Sequence, residues 1–218
     1  MLDNGTLSAQ AEQYILRSIF NGRLRQGERI NETELATELG ISRNPLREAL
    51  RVLSQQGVIV IIPRRGAFVR KLSRSYIDEL FSFRRVVEGF AIQLAVETVT
   101  DEGIKQLEGI VKAMEAAADR GDEAALVEND FRFHVAICEL SGNEHVQRAV
   151  LQIRAEVQMA ISMAKQRFET LHDAAADHWP IVEAMRSKDG QSAVKAIEHH
   201  INDAWGRLTE ELDMQAET

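Results

Sequence analysis

Cysteine is nearly absent from this sequence of 218 residues, and long hydrophobic runs are absent altogether. The lone Cys138 cannot form an internal disulfide, which fits a reducing compartment. No stretch approaches the roughly 20 apolar residues that a membrane helix needs, and no signal peptide is indicated at the N-terminus. We therefore expect a cytoplasmic protein with no membrane partner. Hydrophobic residues make up 44% of the chain and charged residues 28%, which allows a sizeable core.

The charge is distributed unevenly along the chain. Residues 1–72 contain 11 Lys and Arg against 7 Asp and Glu, a net charge of +4, whereas residues 73–218 have a net charge of −12. A basic N-terminal third followed by an acidic remainder indicates that the N-terminal third contacts a polyanion.

The first third combines helical and strand patterns. Three helices are predicted, over residues 7–21, 32–39 and 42–56. Gly40 fits the tight turn between the last two helices, and residues 23–30 are predicted to form a polar link. A β-branched run at 58–62, a turn at 63–66 and a second strand at 67–69 together indicate a β-hairpin.

From residue 73 onward every segment has a helical pattern. The six predicted helices cover residues 73–98, 101–119, 122–141, 144–168, 174–188 and 190–213. Six amphipathic helices with short connections form an antiparallel bundle. The sequence therefore predicts a mainly α protein with two domains. Residues 1–72 would form a winged helix-turn-helix of three helices plus a β-hairpin, and residues 73–218 a six-helix antiparallel bundle.

The predicted helix-turn-helix carries basic side chains where a DNA-reading helix needs them. Arg43 and Arg47 are four residues apart and project from one face, and arginine is the side chain best shaped to grip guanine in the major groove. A solvated surface helix is the alternative, but a helix-turn-helix followed at once by a basic hairpin tip is much rarer. The predicted DNA-contacting residues are Ser42, Arg43, Asn44, Arg47, Arg51, Arg64, Arg65 and Gly66.

Three motifs occur together in this first third. They are residues 42–53, Gly57 and residues 65–69. In this combination the chain resembles the GntR family of bacterial transcription regulators over most of residues 10–70. The resemblance implies a homodimer that binds a palindromic operator in double-stranded DNA, with Arg43 and Arg47 at the base-contacting positions. Thr33 departs from the pattern, because some relatives carry a third DNA-contacting arginine there.

Polar residues interrupt the apolar helix faces of the second part. Asp130 and His134 are one turn apart on an inward face, and His178 and His200 lie on two later inward stripes, whereas His199 projects to the polar side. Burying a carboxylate and three imidazoles without partners is costly. One divalent transition metal would satisfy all four, with zinc the first choice and nickel or manganese the alternatives. A structural Asp–His hydrogen bond beside two unrelated histidines is the other interpretation.

Further motifs accompany these residues. They are Arg84–Glu88, Asp130–His134, Ser141–Asn143, Asp177-His178 and His199–Ile201. With them, residues 73–213 are similar to the FadR-type effector domain called FCD, in its shorter, VanR-like branch. In metal-containing members an aspartate and three histidines hold the ion. The resemblance therefore implies a metal site at Asp130, His134, His178 and His200.

Arg84 lies on the inward stripe of the first helix of the second part. A buried guanidinium needs an anion, and two anions are open on the sequence alone. One is Glu88, a helical turn further on. The other is the carboxylate of a bound effector, which the family resemblance also implies, with Arg84 as the effector-binding residue.

These observations predict a sequence-specific DNA-binding transcription regulator of the repressor type. Its operator affinity would be controlled by a small organic acid bound at the metal site. A metal-responsive regulator with no organic ligand and an acyl-CoA or lipid sensor without metal are alternatives. A metal-dependent hydrolase is a further one, because three histidines and an aspartate can activate water. No additional general base stands at a suggestive spacing, so we do not expect an enzyme.

Overall fold

The structure is a computed structural model that describes residues 5–163 and 170–216. Contacts within the chain separate two units, Met1–Leu72 and Ser73–Thr218. The last residues of the helix predicted over 144–168, from residue 164 onward, lie outside the described residues.

The first unit is a winged helix-turn-helix, as predicted. Its elements are α1 (Leu7–Phe20), α2 (Glu32–Leu39), α3 (Arg43–Gln55), β1 (Ile59–Ile62) and β2 (Gly66–Val69). The two strands pair antiparallel, from Ile59 opposite Val69 to Ile62 opposite Gly66. Helix α3 packs against α1, α2 and β1. Large aliphatic residues of all three helices are buried, among them Ile15, Leu35, Leu46, Leu50 and Leu53.

Local sequence signals fix the boundaries of the two central helices. The Asn31 side chain accepts hydrogen bonds from the backbone N–H groups of Thr33 and Glu34, which satisfies two free donors at the start of α2. Gly40 ends α2 in the left-handed conformation with φ +63°, which glycine adopts without steric cost. Ser42 occupies the N-cap position of α3, although its side chain makes no capping hydrogen bond.

The predicted link at residues 23–30 is more ordered than its polar composition indicates. Gly27 and Ile30 donate backbone hydrogen bonds to the carbonyl groups of Val69 and Ala67, at 3.0 and 2.9 Å. The Val69 N–H in turn donates to the Glu28 carbonyl at 2.9 Å. The link therefore pairs with the free edge of β2 and anchors the hairpin to the helices.

The second unit is a helical bundle without strands among its described residues. Its helices are α4 (Arg74–Thr98), α5 (Asp101–Asp119), α6 (Glu123–Leu140), α7 (Glu144–Gln152), α8 (Arg154–Met163), α9 (Leu171–Ala176), α10 (Trp179–Arg186) and α11 (Gly190–Ala216). The long helix α4 packs along α11 and also against α6, while α6 packs along α5.

Two of the six predicted helices are interrupted. The helix predicted over residues 174–188 is divided into α9 and α10, because Pro180 lies in the first turn of α10 and its ring cannot continue a helix from Ala176. The helix predicted from residue 144 is interrupted at Ile153, where α7 ends. No glycine or proline marks this second break.

The core of the second unit is largely apolar, but charged and imidazole side chains are buried at one place in it. Its largest buried apolar residues include Phe81, Ile92, Phe131 and Phe133. Among the described residues, this core encloses two buried carboxylates, one guanidinium and two imidazoles: Arg84, Glu88, Asp130, His134 and His178. Such groups are rarely buried unless they are paired or bind an ion, so this place is the candidate functional site. Within the described part of the chain, no helix is both long and apolar enough to cross a membrane.

Candidate metal centre

Three helical elements bring the four predicted metal ligands together. α6 supplies Asp130 and His134 from successive turns, His178 stands at the N-cap of α10, and α11 supplies His200. One potential ligand atom from each residue lies within 4.8 Å of all the others. Asp130, His134 and His178 are buried and His200 is partly buried. The break before α10 helps to form this group, since it places His178 at a helix start.

The distances within this cluster suit ligands of a single ion. The Nε2 atoms of His134 and His200 are 3.2 Å apart, and Nε2 of His178 is 3.2 Å from Oδ1 of Asp130. Zn–N bonds of about 2.0–2.1 Å at a tetrahedral angle separate two ligand nitrogens by roughly 3.3 Å. Two of the ligand-atom pairs therefore already have the spacing of ligands on one zinc ion, and all other pairs lie within 4.8 Å.

The other ring nitrogens of two histidines point away from the cluster and are hydrogen-bonded. His134 Nδ1 donates to Glu88 Oε2 at 2.5 Å, and His178 Nδ1 donates to the Ala174 carbonyl at 3.1 Å. A proton on Nδ1 leaves the lone pair of Nε2 for a metal. Metal-binding histidines are commonly oriented by such outer partners.

Burial and charge favour the protonation states that bind metals. Burial lowers the pKa of His134, and burial with the nearby His178 and His134 lowers that of His200, so both rings are neutral near pH 7. Burial alone would raise the pKa of Asp130, but its contact with His178 and the nearby His134 hold it well below its usual value. Neutral imidazoles and an ionised carboxylate are the ligand forms a metal requires.

Buried polar atoms without partners mark the same place. Three of the four buried side-chain polar atoms that make no hydrogen bond among the described residues are here: Asp130 Oδ2, His178 Nε2 and Arg84 Nη2. Unpaired buried polar groups are costly and rare. A cation between the ligands would satisfy the first two atoms. The donor set of three nitrogens and one carboxylate therefore fits a divalent transition metal.

Arg84 is paired with Glu88, as the helical spacing indicated, but its Nη2 atom makes no hydrogen bond. Its side chain is 1% exposed, and Nε donates to Glu88 Oε1 at 2.5 Å. Burial would raise the pKa of Glu88, but Arg84 and His134 lower it below its usual value, so the carboxylate is ionised. The sequence did not indicate the contact between Glu88 and His134, because the two residues are 46 positions apart on different helices.

His199 lies on the exposed side of α11, as the helix periodicity predicted. Its side chain is 79% exposed, with Nδ1 3.8 Å from Asp203 Oδ1. The neighbouring His200 faces the cluster instead. A surface groove of the same unit lies elsewhere, lined in part by Gln93, Lys188 and Glu198, and contains none of the four cluster residues.

The predicted DNA-contacting residues lie together on the helix-turn-helix and the hairpin tip. Arg43 Nη2 contacts Thr33 Oγ1, and Arg47 Nε donates to Glu32 Oε2 at 2.8 Å. Arg64 adopts φ +62° at the hairpin tip. Apart from the partly exposed Gly66, all of the set is exposed: Ser42, Arg43, Asn44, Arg47, Arg51, Arg64 and Arg65.

Comparison with known proteins assigns both units. Residues 7–69 match the bacterial regulatory proteins of the gntR family, and residues 79–203 match the FCD domain. The chain belongs to the GntR family. Arg43 and Arg47 of the helix-turn-helix lie inside the first match, and the four candidate metal ligands lie inside the second.

Relatives of this GntR-family chain are named as transcription regulators. It is 31% identical to the probable D-xylose utilization operon transcriptional repressor of Paenarthrobacter nicotinovorans, over 92% of this chain and 88% of that protein. It is 33% identical to the Nta operon transcriptional regulator of Aminobacter aminovorans, over 62% of this chain and 64% of that one. Family membership therefore makes it a transcription regulator and not an enzyme, which sets the hydrolase alternative aside.

Solved structures share the fold of this GntR-family regulator. McbR/YncC of E. coli superposes with a TM-score of 0.79 at 20% identity, over 94% of this chain and 98% of that one. A putative GntR regulator from Rhodococcus sp. RHA1 gives a TM-score of 0.77 at 21% identity, over 92% and 96% of the two chains. At these identities the likeness establishes the fold alone.

Proposed function

We propose that this GntR-family regulator is a homodimeric repressor that leaves its palindromic operator when a small organic acid binds at a metal centre. Residues 1–72 act as the DNA-binding domain and residues 73–218 as the effector-binding domain. The proposal rests on one observation: potential ligand atoms of four residues lie close together, those of Asp130, His134, His178 and His200.

The four cluster residues would hold the ion. Three nitrogens and one oxygen suit zinc first, with nickel or manganese as alternatives. When bound, the ion supplies a positive charge and an open coordination position for an oxygen ligand. The outer hydrogen bonds of His134 and His178 orient the rings for this role.

The effector assignment rests on Arg84. Its buried Nη2 has no partner among the described residues, and a carboxylate is the anion that a guanidinium binds best. The names of two relatives agree with a small hydroxylated ligand. The gluconate operon transcriptional repressor of Bacillus licheniformis, 24% identical over 87% of this chain, is named for an acid, and the relative from Paenarthrobacter for D-xylose. These names also support the repressor assignment.

Operator recognition rests on Arg43 and Arg47 at the start of α3. Both are exposed, and arginine pairs bidentately with guanine in the major groove. The basic hairpin tip is suited to the DNA backbone. Two such units on a two-fold axis would recognise the two half-sites of a palindrome.

The homodimer requires a surface that contacts a second copy, and α4 offers one. Phe83, Val86 and Phe90 form one stripe along α4 and are 45%, 68% and 48% exposed. Phe83 lies about one turn before Val86 and Phe90 about one turn after it. In an antiparallel pair of α4 helices crossing near Val86, Phe83 of each copy faces Phe90 of the partner subunit, so the stripe is self-complementary.

Metal content tests this proposal directly. The purified protein without a tag should contain about one transition metal per chain, measured by inductively coupled plasma mass spectrometry, and the His134→Ala/His178→Ala double variant should contain none. His199→Ala, which removes an exposed histidine next to the cluster, is the control that should keep the metal. Wild-type protein that fails to take up zinc, nickel or manganese would contradict the metal centre.

One observation favours a metal-responsive regulator as the second candidate. The cluster is largely buried, and the surface groove of the same unit does not contain it. If zinc alone abolishes operator binding in a gel-shift titration, this alternative holds. If operator release needs a metal-chelating organic acid in addition, the first proposal holds.

A further inference from the structure

Glu88 is the one residue that contacts both Arg84 and a cluster histidine among the described residues. Its carboxylate is 1% exposed and uses both oxygens. Oε1 accepts from Arg84 Nε and Oε2 accepts from His134 Nδ1, each at 2.5 Å. Glu88 itself is not within the group of potential metal ligands.

The hydrogen-bonding groups of Arg84 and His134 determine whether each oxygen of Glu88 must donate or accept. Arg84 has only donors, so the atom facing it must accept. His134 can present either a donor or an acceptor at Nδ1, depending on its tautomer. A carboxylate accepts at both oxygens. It therefore fixes the proton on Nδ1 of His134 and leaves Nε2, the nitrogen 3.2 Å from His200 Nε2, free of a proton.

We propose that Glu88 is a positioning residue that holds His134 in its metal-binding tautomer, with Arg84 fixing the orientation of Glu88. This inference rests on the proposed metal centre, to which it adds a residue that touches no metal. It assigns a second task to Arg84, besides any contact with an effector.

Glutamine has nearly the same shape as glutamate. At position 88 it would reverse the donor and acceptor roles in the hydrogen bond with His134. Arg84 demands an acceptor, so the amide oxygen of Gln must face Arg84. The amide NH2 group then faces His134 Nδ1 and can only donate to it. His134 must move its proton to Nε2, where it opposes metal binding.

Nitrogen-15 NMR of the histidine rings in metal-free protein tests this directly. Wild-type His134 should show the Nδ1–H tautomer, and Glu88→Gln should convert it to the Nε2–H tautomer. His178 is an internal control in the same spectrum, because its Nδ1 donates to the Ala174 carbonyl and should not change. An unchanged His134 tautomer in Glu88→Gln would overturn the proposal.

Zinc affinity gives the second measurement. In competition with a chelator, Glu88→Gln should bind zinc about 10- to 100-fold more weakly than wild type. Glu97→Gln, an equal loss of negative charge at an exposed position of α4, should bind zinc as wild type does. Equal affinity of wild type and Glu88→Gln would overturn the positioning role. A wild-type protein that binds no zinc would contradict the metal centre, while the tautomer measurement would still decide the role of Glu88.

A double variant keeps the test available if Glu88→Gln does not fold. Removing one partner of a buried ion pair is strongly destabilising, whereas replacing both by neutral groups is often tolerated. In Arg84→Met/Glu88→Gln no donor at position 84 dictates the amide orientation. The double variant should therefore populate both tautomers of His134. A pure Nδ1–H or pure Nε2–H tautomer in the double variant would show that Arg84 does not fix the orientation.

Discussion

Arg47 Nε donates a hydrogen bond to Glu32 Oε2 at 2.8 Å, which joins the proposed reading helix α3 to the first turn of α2. The Arg47 side chain is 60% exposed and that of Glu32 24% exposed. If Arg47 contacts a base as proposed, this hydrogen bond would set the direction of its side chain before DNA binds. Glu32 also places a negative charge close to where DNA phosphates would lie.

Replacing Glu32 by glutamine should therefore raise DNA affinity and lower sequence discrimination. Loss of the negative charge favours every DNA sequence, and loss of the ion pair frees Arg47 to contact phosphates. An exposed ion pair contributes about 0–1 kcal/mol, so the expected change is up to about fivefold. Gel-shift titrations on an operator selected from random DNA and on a scrambled duplex measure both effects.

Glu34→Gln is the matched control for this prediction. It removes the same charge from the same turn of α2 and leaves the Glu32–Arg47 pair in place. It should change both affinities less than Glu32→Gln does. A Glu32→Gln variant with weaker binding to the scrambled duplex would contradict the prediction.

Arg43→Ala should weaken binding to the selected operator by about 1–3 kcal/mol, or roughly 5- to 150-fold, because a bidentate contact with a base is lost. Binding to scrambled DNA should change much less. Arg51→Ala is the comparison. Arg51 lies further along α3 and is expected to contact only the DNA backbone, so its loss should weaken binding to both duplexes similarly. Operator affinity unchanged by Arg43→Ala, measured by gel shift, would count against the assignment of α3.

Much of the fold and the cluster could be predicted because periodicity is a local signal. The four-residue spacing of Asp130 and His134 placed both on one face, and the apolar stripe of α11 separated His200 from His199. Both arguments need only one helix at a time. Gly40 marked the turn after α2 through an equally local signal.

Other features depend on how distant helices pack, which spacing does not reveal. The contact of Glu88 with His134 requires α4 to lie against α6. The break at His178 had a local signal in Pro180 that the apolar stripe obscured. The pairing of residues 23–30 with β2 is a long-range backbone contact, which side-chain composition does not encode.

Val86→Glu should dissociate the proposed dimer without unfolding the protomer. Val86 is 68% exposed, so a charge there is solvated in the monomer. Across a two-fold axis each copy would bury this charge against the partner's stripe, which should weaken association about tenfold or more. Sedimentation equilibrium measures the change.

Leu151→Glu is the control for that prediction. Leu151 is also exposed, at 48%, but lies on α7 outside the stripe. It should leave association unchanged. Equal dimer affinity for Val86→Glu and wild type would exclude the α4 stripe as the dimer contact.

The metal-free second unit should lose stability as the pH falls below about 6.5. The pKa of His134 and that of His200 are lowered in the folded state, chiefly by burial, whereas unfolded histidine has a pKa near 6.5. At a pH between the folded-state and the unfolded-state pKa, the unfolded chain binds more protons than the folded chain. The stabilisation is therefore complete above pH 6.5, and the free energy of unfolding decreases as the pH falls below it. Each histidine contributes at most about 1.4 kcal/mol per pH unit. Asp130 and Glu88, whose pKa values are also lowered, would add to the loss only near pH 4 and below.

Tryptophan fluorescence isolates this effect, because both tryptophans, Trp179 and Trp205, belong to the second unit. Urea unfolding in the presence of a chelator at pH 7.5, 6.5 and 5.5 gives the free energy of unfolding at each pH. His200→Gln should flatten the dependence, since one of the two titrating rings is gone. His199→Gln, at an exposed position, should keep the wild-type slope. If the free energy of unfolding rises as the pH falls from 6.5 to 5.5, the buried rings are charged rather than neutral in the folded protein, and the cluster cannot be a preformed set of metal ligands.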